Sequence, residues 1–308
     1  MQIYLPIADL PVNIFLIFAM GIAIGFLSGM FGIGGGFLLT PILIFIGIPP
    51  AVAVATVSTH IAASSFSGVF AYWRRKALDL SLAAMLLAGA LIGTAGGVFL
   101  IALLRTLGQL DLAIGVSYVT LLGIIGTLMI VESARAIMRA RQGGPATLRR
   151  PGSHAWFHGL PFKMRFKQSK IYVSLIPVWT IGLFIGILGA MMGIGGGFIL
   201  VPALIYLLRV PTGIVVGTSM VVTLVTMLAA TVMHSATNRS VDVVLALTLM
   251  VGGVIGAQFG ARAGMTIRSE QLRLLLGMIV LLVGLRFAID LVVRPDDLFS
   301  IQPYERLQ

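Results

Sequence analysis

Long apolar stretches separated by short polar turns run through almost the whole chain. The pattern predicts ten helices in two sets of five, at residues 14–32, 36–47, 51–72, 80–104 and 112–133, and at 172–191, 197–208, 212–236, 243–264 and 272–293. Most are long enough for a hydrocarbon core of about 30 Å, which takes roughly 20 helical residues. The second helix of each set spans only about 18 Å at 1.5 Å per residue. We therefore expect a helix–break–short-helix unit in each set, for which a re-entrant hairpin is one arrangement.

The two sets are copies of one unit. The segment Gly29–Met–Phe–Gly–Ile–Gly–Gly–Gly–Phe37 returns in the second half of the chain as Ala190–Met–Met–Gly–Ile–Gly–Gly–Gly–Phe198. Farther along, after a short insertion in the second copy, the same alignment places Asp79 on Asp242. We divide the chain into a first transmembrane repeat at 14–133, a linker at 134–171 and a second transmembrane repeat at 172–293.

The composition indicates that these helices lie in a lipid bilayer. The chain is 58 % hydrophobic and 10 % charged, with a mean hydropathy of +1.07, which is typical of an integral membrane protein and not of a soluble one. The expected fold is an all-α polytopic membrane protein. The absence of cysteine excludes disulfides and thiolate metal sites.

The basic residues indicate topology. The net charge is +11, but nine of the 21 lysines and arginines lie between Arg135 and Lys170, which does not suggest a nucleic-acid partner. This loop and the loop at 73–79 are assigned to the cytoplasm, because cytoplasmic loops are enriched in cations. Counting membrane crossings outward from these two cytoplasmic loops then places both termini in the periplasm. It also gives the two repeats opposite orientations in the membrane, so that they are inverted. The 134–171 linker is expected to rest on anionic lipid headgroups, with regulation by a bound partner as the alternative.

The glycine-rich breaks are the first candidate binding elements. Irregular backbone in a bilayer is tolerated where it is buried in protein or lines a polar cavity, and paired breaks in two repeats point to a transporter's binding site. A helix that begins after each break offers free amides and a positive dipole end, which suits a small oxyanion. The alternative is that these glycines only allow close helix packing. The candidate glycines are Gly34, Gly35, Gly36, Gly195, Gly196 and Gly197.

Polar side chains on the third helix of each repeat complete the candidate site. They recur at helical spacing and are expected to line the substrate path, although hydroxyls can also bond to carbonyls one turn earlier. The candidate side chains are Thr56, Ser58, His60, Thr218, Ser219 and Thr223. His60 lies at mid-span and could couple transport to protons, whereas His234 lies near a helix end and could be interfacial.

Other chemistries find little support in the sequence. No nucleophile with its base and no metal-ligand set is recognisable, so we expect no catalytic residue, no metal and no cofactor. Arg286 and Asp290 lie one helical turn apart, which predicts an intrahelical pair, with an anion-attracting gate as the alternative. A channel could use the same anion ligands as a transporter.

The two motif copies, continued to Pro41 and Pro202, and the Gly217–Thr–Ser219 element resemble the TauE/SafE sulfite exporter family, also called the toluene sulfonate uptake permease family. The resemblance covers residues 14–293. It implies a bacterial inner-membrane transporter for sulfite, a sulfonate, thiosulfate or a related sulfur oxyanion, with a small sulfur-containing anion and membrane lipids as its partners. The mechanism that we expect is export by alternating access, with the anion bound between the two glycine-broken helices. Thr56–Val–Ser–Thr–His60 stands where the family pattern would resemble Gly–Thr–Ser. The sequence leaves the oligomeric state open.

Overall fold

The computed structural model describes residues 2–31, 35–74, 76–141, 161–166, 168–169, 171–208, 210–264 and 269–292. Each of the ten predicted helices is present within these ranges. Their bounds are α1 Ile14–Phe31, α2 Gly36–Phe45, α3 Pro50–Arg74, α4 Leu80–Thr106, α5 Leu110–Arg141, α6 Leu175–Met192, α7 Gly197–Tyr206, α8 Thr212–Met233, α9 Val243–Gly264 and α10 Ser269–Val292. A π-helical turn, His234–Asn238, extends α8.

The helix lengths match an all-α polytopic membrane protein. Among the described residues, seven helices are long and apolar enough to cross a membrane. Helices α2 and α7 contain ten residues each, which corresponds to about 15 Å. The prediction that the second helix of each repeat is too short to span is therefore confirmed.

Two short β-hairpins are absent from the sequence-based expectation. Strand β1 (Gln2–Leu5) pairs with β2 (Leu10–Asn13), and β3 (Lys163–Phe166) pairs with β4 (Ile171–Ser174), both antiparallel. The predicted helix start at residue 172 is wrong, because residues 171–174 belong to β4. The Ser174 side chain instead caps α6 by accepting a hydrogen bond from the Ile176 amide.

Two helices of the first repeat each pack in parallel against a helix of the second repeat. Helix α1 runs parallel to α9, and α4 runs parallel to α6, with glycines at both crossings. A Cβ atom added at Gly25 would lie 2.3 Å from the Gly253 carbonyl oxygen, and one added at Gly93 would lie 2.0 Å from the Leu183 carbonyl oxygen. The glycines of these crossings thus allow backbone-to-backbone contact, as small residues do between membrane helices.

Helices α3 and α8 lie side by side in opposite directions. The start of α3 meets the residues that follow α8, because the Asp242 amide donates to Thr56 Oγ1 at 3.1 Å. The residues that follow α3 meet the start of α8, because the Asp79 amide donates to Thr218 Oγ1 at 3.0 Å. The Thr56 end of this pair lies at the β1 face, which carries the β1–β2 hairpin, and the Thr218 end lies at the β3 face, which carries the β3–β4 hairpin.

The two faces also explain the course of α1 and α2. Helix α1 follows β2 directly, and the amide of Ile7 in the β1–β2 turn donates to Asp242 Oδ2 at 3.1 Å, so α1 begins at the β1 face. Helix α3 begins at the same face. Helix α2 must therefore return the chain to the face from which α1 started, which is a re-entrant arrangement.

Candidate functional site

The two glycine breaks meet where the repeats contact each other. Phe37 of α2 stacks on Phe198 of α7 with ring centroids 4.3 Å apart and an interplanar angle of 8°. A Cβ atom added at Gly36 would lie 2.8 Å from the Gly193 carbonyl oxygen. The two breaks therefore lie side by side, although Gly34 lies outside the described residues.

Both short helices begin without a side-chain cap. Helix α2 starts at Gly36 after the N-cap residue Gly35, and α7 starts at Gly197 after the N-cap residue Gly196. Glycine offers no side-chain acceptor to the first-turn amides, which carry the positive end of the helix dipole. These amides can stabilise a negative charge beside the break.

The second break has a backbone shape that favours glycine. Gly193 and Gly195 have φ angles of +62° and +73°, in the region where other residues are strained. Thr40 Oγ1 donates to the Gly193 carbonyl at 3.2 Å, and the Tyr118 hydroxyl donates to the Met192 carbonyl. Side chains from the first repeat therefore hold the second break in place.

A polar side chain of α8 and an apolar side chain of α3 lie against the breaks. Thr223 of α8 lies beside the second break, because a Cβ atom added at Gly196 would be 3.7 Å from Thr223 Oγ1. Ile61 of α3 contacts both breaks, with Cδ1 2.1 Å from a Cβ atom added at Gly36 and Cγ2 2.8 Å from one added at Gly195. The site is polar on the α8 side and apolar on the α3 side.

Three of the predicted site residues have buried polar atoms without a partner. Thr223 Oγ1, Ser219 Oγ and His60 Nδ1 have no hydrogen bond within the described parts of the chain. Their residues are 3 %, 1 % and 2 % exposed, respectively. An unsatisfied buried polar group costs about 1–3 kcal/mol, so these atoms are available to bond with a bound ligand or water. Ser219 and Thr223 lie one turn apart on the same side of α8.

The other three predicted side chains have partners in the protein. Ser58 Oγ donates to the Val54 carbonyl at 2.8 Å, as a helical hydroxyl often does. Thr56 and Thr218 accept the Asp242 and Asp79 amides described above. The hydroxyls of Thr56 and Thr218 therefore join the two repeats. A role for these two threonines and for Ser58 in substrate binding stays a prediction.

The two membrane histidines have different surroundings. The His60 ring packs on α9, because a Cβ atom added at Gly253 would lie 2.2 Å from its Cε1 atom. His234 is 1 % exposed and lies at the end of α8, and its interfacial position in the membrane stays a prediction. Its Nε2 atom lies 3.1 Å from the Ala190 carbonyl oxygen and its Nδ1 atom 3.0 Å from Asn238 Nδ2. These contacts connect the end of α8 to the segment before the second break.

Sequence reasoning missed the structural part played by two acids. Asp79 and Asp242 are 2 % and 0 % exposed and precede α4 and α9. Asp79 Oδ1 accepts from the amides of Ser81 and Leu82, and its Oδ2 accepts from the Ser169 amide and hydroxyl at 2.9 and 2.8 Å. The signal was an aspartate directly before an apolar helix, which is a common N-cap. In contrast, the predicted Arg286–Asp290 ion pair is confirmed.

The chemistry available at the breaks is hydrogen-bond donation by neutral groups. Amides and hydroxyls can replace the hydration shell of an anion without placing a fixed charge in the path. Within the described ranges there is no group of three or more His, Cys, Asp or Glu residues that could hold a metal ion.

Comparison with known proteins supports a transport role. The family model for the sulfite exporter TauE/SafE matches residues 17–287. The probable membrane transporter protein YjnA of Bacillus subtilis is 26 % identical over 270 residues, which cover 88 % of this chain and 98 % of the relative. A probable membrane transporter protein of Xylella fastidiosa (strain 9a5c) is 27 % identical over 272 residues, which cover 85 % and 90 %.

A plant relative matches only in part. The sulfite exporter TauE/SafE family protein 1 of Arabidopsis thaliana is 45 % identical over 53 residues, which cover 17 % of this chain and 12 % of the relative. No solved structure matches the chain. Because the family model covers most of the sequence, the chain belongs to the TauE/SafE sulfite exporter family of membrane transporters.

Proposed function

We propose that the chain is a secondary transporter that exports a small sulfur oxyanion, of the sulfite, sulfonate or thiosulfate type, across the bacterial inner membrane. The observation that carries this proposal is the meeting of two uncapped helix starts, α2 and α7, beside the unpartnered hydroxyls of Ser219 and Thr223. Amides and hydroxyls are suitable donors to sulfur-bound oxygens. The family name supports the same substrate class.

Alternating access is the mechanism that we favour over a channel. The Asp242–Thr56 contact joins the repeats at the β1 face, and the Asp79–Thr218 contact joins them at the β3 face. Both contacts are formed here, and the candidate site between them is buried. An occluded site with one inter-repeat contact towards each face supports rocking of the repeats about the bound anion.

We further propose that the repeats are inverted in the membrane, with both termini in the periplasm. The antiparallel packing of α3 on α8 supports inversion, because these helices occupy equivalent positions in the two repeats. The basic loop at 73–79 supports a cytoplasmic β3 face. The β1 face, with the N-terminal hairpin, would then face the periplasm.

Anion selectivity tests the proposed function. Purified protein should bind sulfite or thiosulfate more tightly than dimethyl sulfone, which is neutral, when the three are compared by calorimetry. Replacing Thr223 with valine should weaken anion binding about tenfold or more, because one buried donor to the anion is lost. The matched control is Thr226→Val on the same helix, whose hydroxyl already bonds to the Val222 carbonyl at 2.8 Å. Tighter binding of the neutral sulfone, or equal affinity in both variants, would contradict the proposed site.

A further inference from the structure

A cavity opens at the β1 face, away from the glycine breaks. Its volume is about 610 Å³, which is in the range of sites for small organic ligands. Four parts of the fold surround it: the β1–β2 turn, the start of α3, the turn from α4 to α5, and the end of the π-helical turn. Its lining includes Pro50, Arg105, Asp111, Arg239 and Ser240.

The polar lining favours an anion. Arg105 and Arg239 contribute two positive charges and Asp111 one negative charge, so these three side chains carry a net charge of +1. The Arg105 guanidinium also donates to the Asn238 carbonyl at 3.4 Å. This hydrogen bond joins the end of α4 to the π-helical turn across the cavity. Guanidinium groups suit oxyanions because they present several fixed donors.

A buried serine lies in the wall of this cavity. Ser240 is 3 % exposed, and its Oγ atom has no hydrogen-bond partner within the described residues. The accessible charged lining of the cavity therefore comes from its two arginines and Asp111.

Arg239 ends the π-helical turn at the rim of the cavity. It is the C-cap residue of this turn and has a φ angle of +47°, a left-handed conformation that is common at helix ends.

The cavity wall is connected to the central site. Asn238, at the rim, contacts His234 Nδ1, and His234 Nε2 contacts the Ala190 carbonyl at 3.1 Å. Ala190 lies in the last turn of α6, three residues before Gly193 of the second glycine break. A ligand that changes the position of Asn238 can thus affect the break through two hydrogen bonds.

We propose that this cavity is a peripheral binding site for oxyanions that carry a small apolar group, such as a short alkanesulfonate. Arg105 and Arg239 bind the charged head. Pro49, Pro50 and Val52, which also line the cavity, contact the apolar part. The proposal rests on the proposed transport of oxyanions, for which this cavity is a capture or release station in series with the central site.

Calorimetry with butane-1-sulfonate on the purified full-length protein tests the site. Two binding events per chain are expected. The Thr223→Val background should retain the event at the cavity, and adding Arg105→Gln with Arg239→Asn should weaken that event at least tenfold. Asparagine is chosen at position 239 because it tolerates a positive φ angle. Asp111→Asn should tighten the same event several-fold, because it removes the opposing charge.

The control for position 239 is Lys76→Asn. Lys76 is another cation with a positive φ angle, +52°, and it aligns with Arg239 when Asp79 is placed on Asp242, but it lies at the β3 face. Its replacement should leave the cavity event unchanged. Neutral butan-1-ol, used in place of butane-1-sulfonate, should not bind at the cavity. Melting temperatures of all variants check folding.

The outcomes separate this proposal from the proposed function. Loss of every binding event in Thr223→Val, or full affinity at the cavity without both arginines, would overturn the peripheral site and leave the central site standing. A single event that is lost without the arginines and unaffected by Thr223→Val would support the peripheral site and contradict the central one.

Discussion

At the scale of single residues, the candidate side chains separate into those that hold the fold and those that remain available. Ser58 bonds within its own helix, whereas Thr223, Ser219 and His60 keep a buried polar atom without a partner among the described residues. Sequence spacing could not separate these groups, because all of them share the same helical periodicity. Whether a side chain is available depends on the hydrogen-bond partners of its polar atoms. Some of these partners belong to the opposite repeat.

His60 yields a prediction on proton coupling, which we propose as part of the transport mechanism. An imidazole can take up and release a proton, so a proton that His60 carries together with the anion would make transport faster at acidic pH. Transport measured in proteoliposomes between pH 5.5 and 7.5 should lose this slope in both His60→Gln and His60→Ala. His60→Gln retains a hydrogen-bonding side chain and should transport faster than His60→Ala. A wild-type pH slope in His60→Gln would remove this residue from the coupling mechanism.

At the scale of elements, the hydrophobic pattern is sufficient to predict the helices but not the two β-hairpins. Ten apolar runs predict ten helices, because burial in lipid requires long apolar segments with internal hydrogen bonds. The four-residue strands carry too short a pattern to predict, and the apolar residues of β4 run without a break into those of α6. Helix α5 also continues to Arg141, beyond the predicted end at 133, because polar residues can extend a helix past the membrane.

The contacts between repeats could not be predicted from local sequence. Alignment of Ser58 with Ser219 pairs Thr218 with Val57, yet it is Thr56 that performs the same task as Thr218. Each of these two threonines accepts the amide of the aspartate that caps a helix of the opposite repeat. Such a contact depends on the antiparallel packing of α3 and α8, which appears only in the folded chain.

These contacts predict which face opens. Thr56→Val leaves the buried Asp242 amide without its acceptor, at a cost of about 1–3 kcal/mol, and should favour opening at the β1 face. Thr218→Val should favour opening at the β3 face for the same reason. The chain has no cysteine, so maleimide labelling of Ile48→Cys and Val210→Cys, which are 1 % and 3 % exposed as native residues, reports on each face separately.

Thr56→Val should accelerate labelling at position 48 and not at position 210, and Thr218→Val should do the reverse. Each variant is therefore the control for the other. Equal acceleration at both positions in either variant would indicate general destabilisation and contradict the assignment of one contact to each face.

At the scale of the whole molecule, the two repeats surround a buried site that neither repeat forms alone. Thr40 of the first repeat bonds to Gly193 of the second, and Phe37 stacks on Phe198 across the centre. A movement of one repeat against the other must therefore change the site and both faces together. This arrangement supports a carrier in preference to a continuously open pore.

Counterflow in proteoliposomes tests this central claim most directly. Vesicles loaded with unlabelled sulfite and diluted into a trace of radiolabelled sulfite should transiently accumulate the label, because a carrier exchanges the anion at its alternately exposed site. Thr223→Val should lose this accumulation and Thr226→Val should retain it. Uptake of label that does not depend on internal sulfite, with no transient accumulation, would contradict alternating access and indicate a channel.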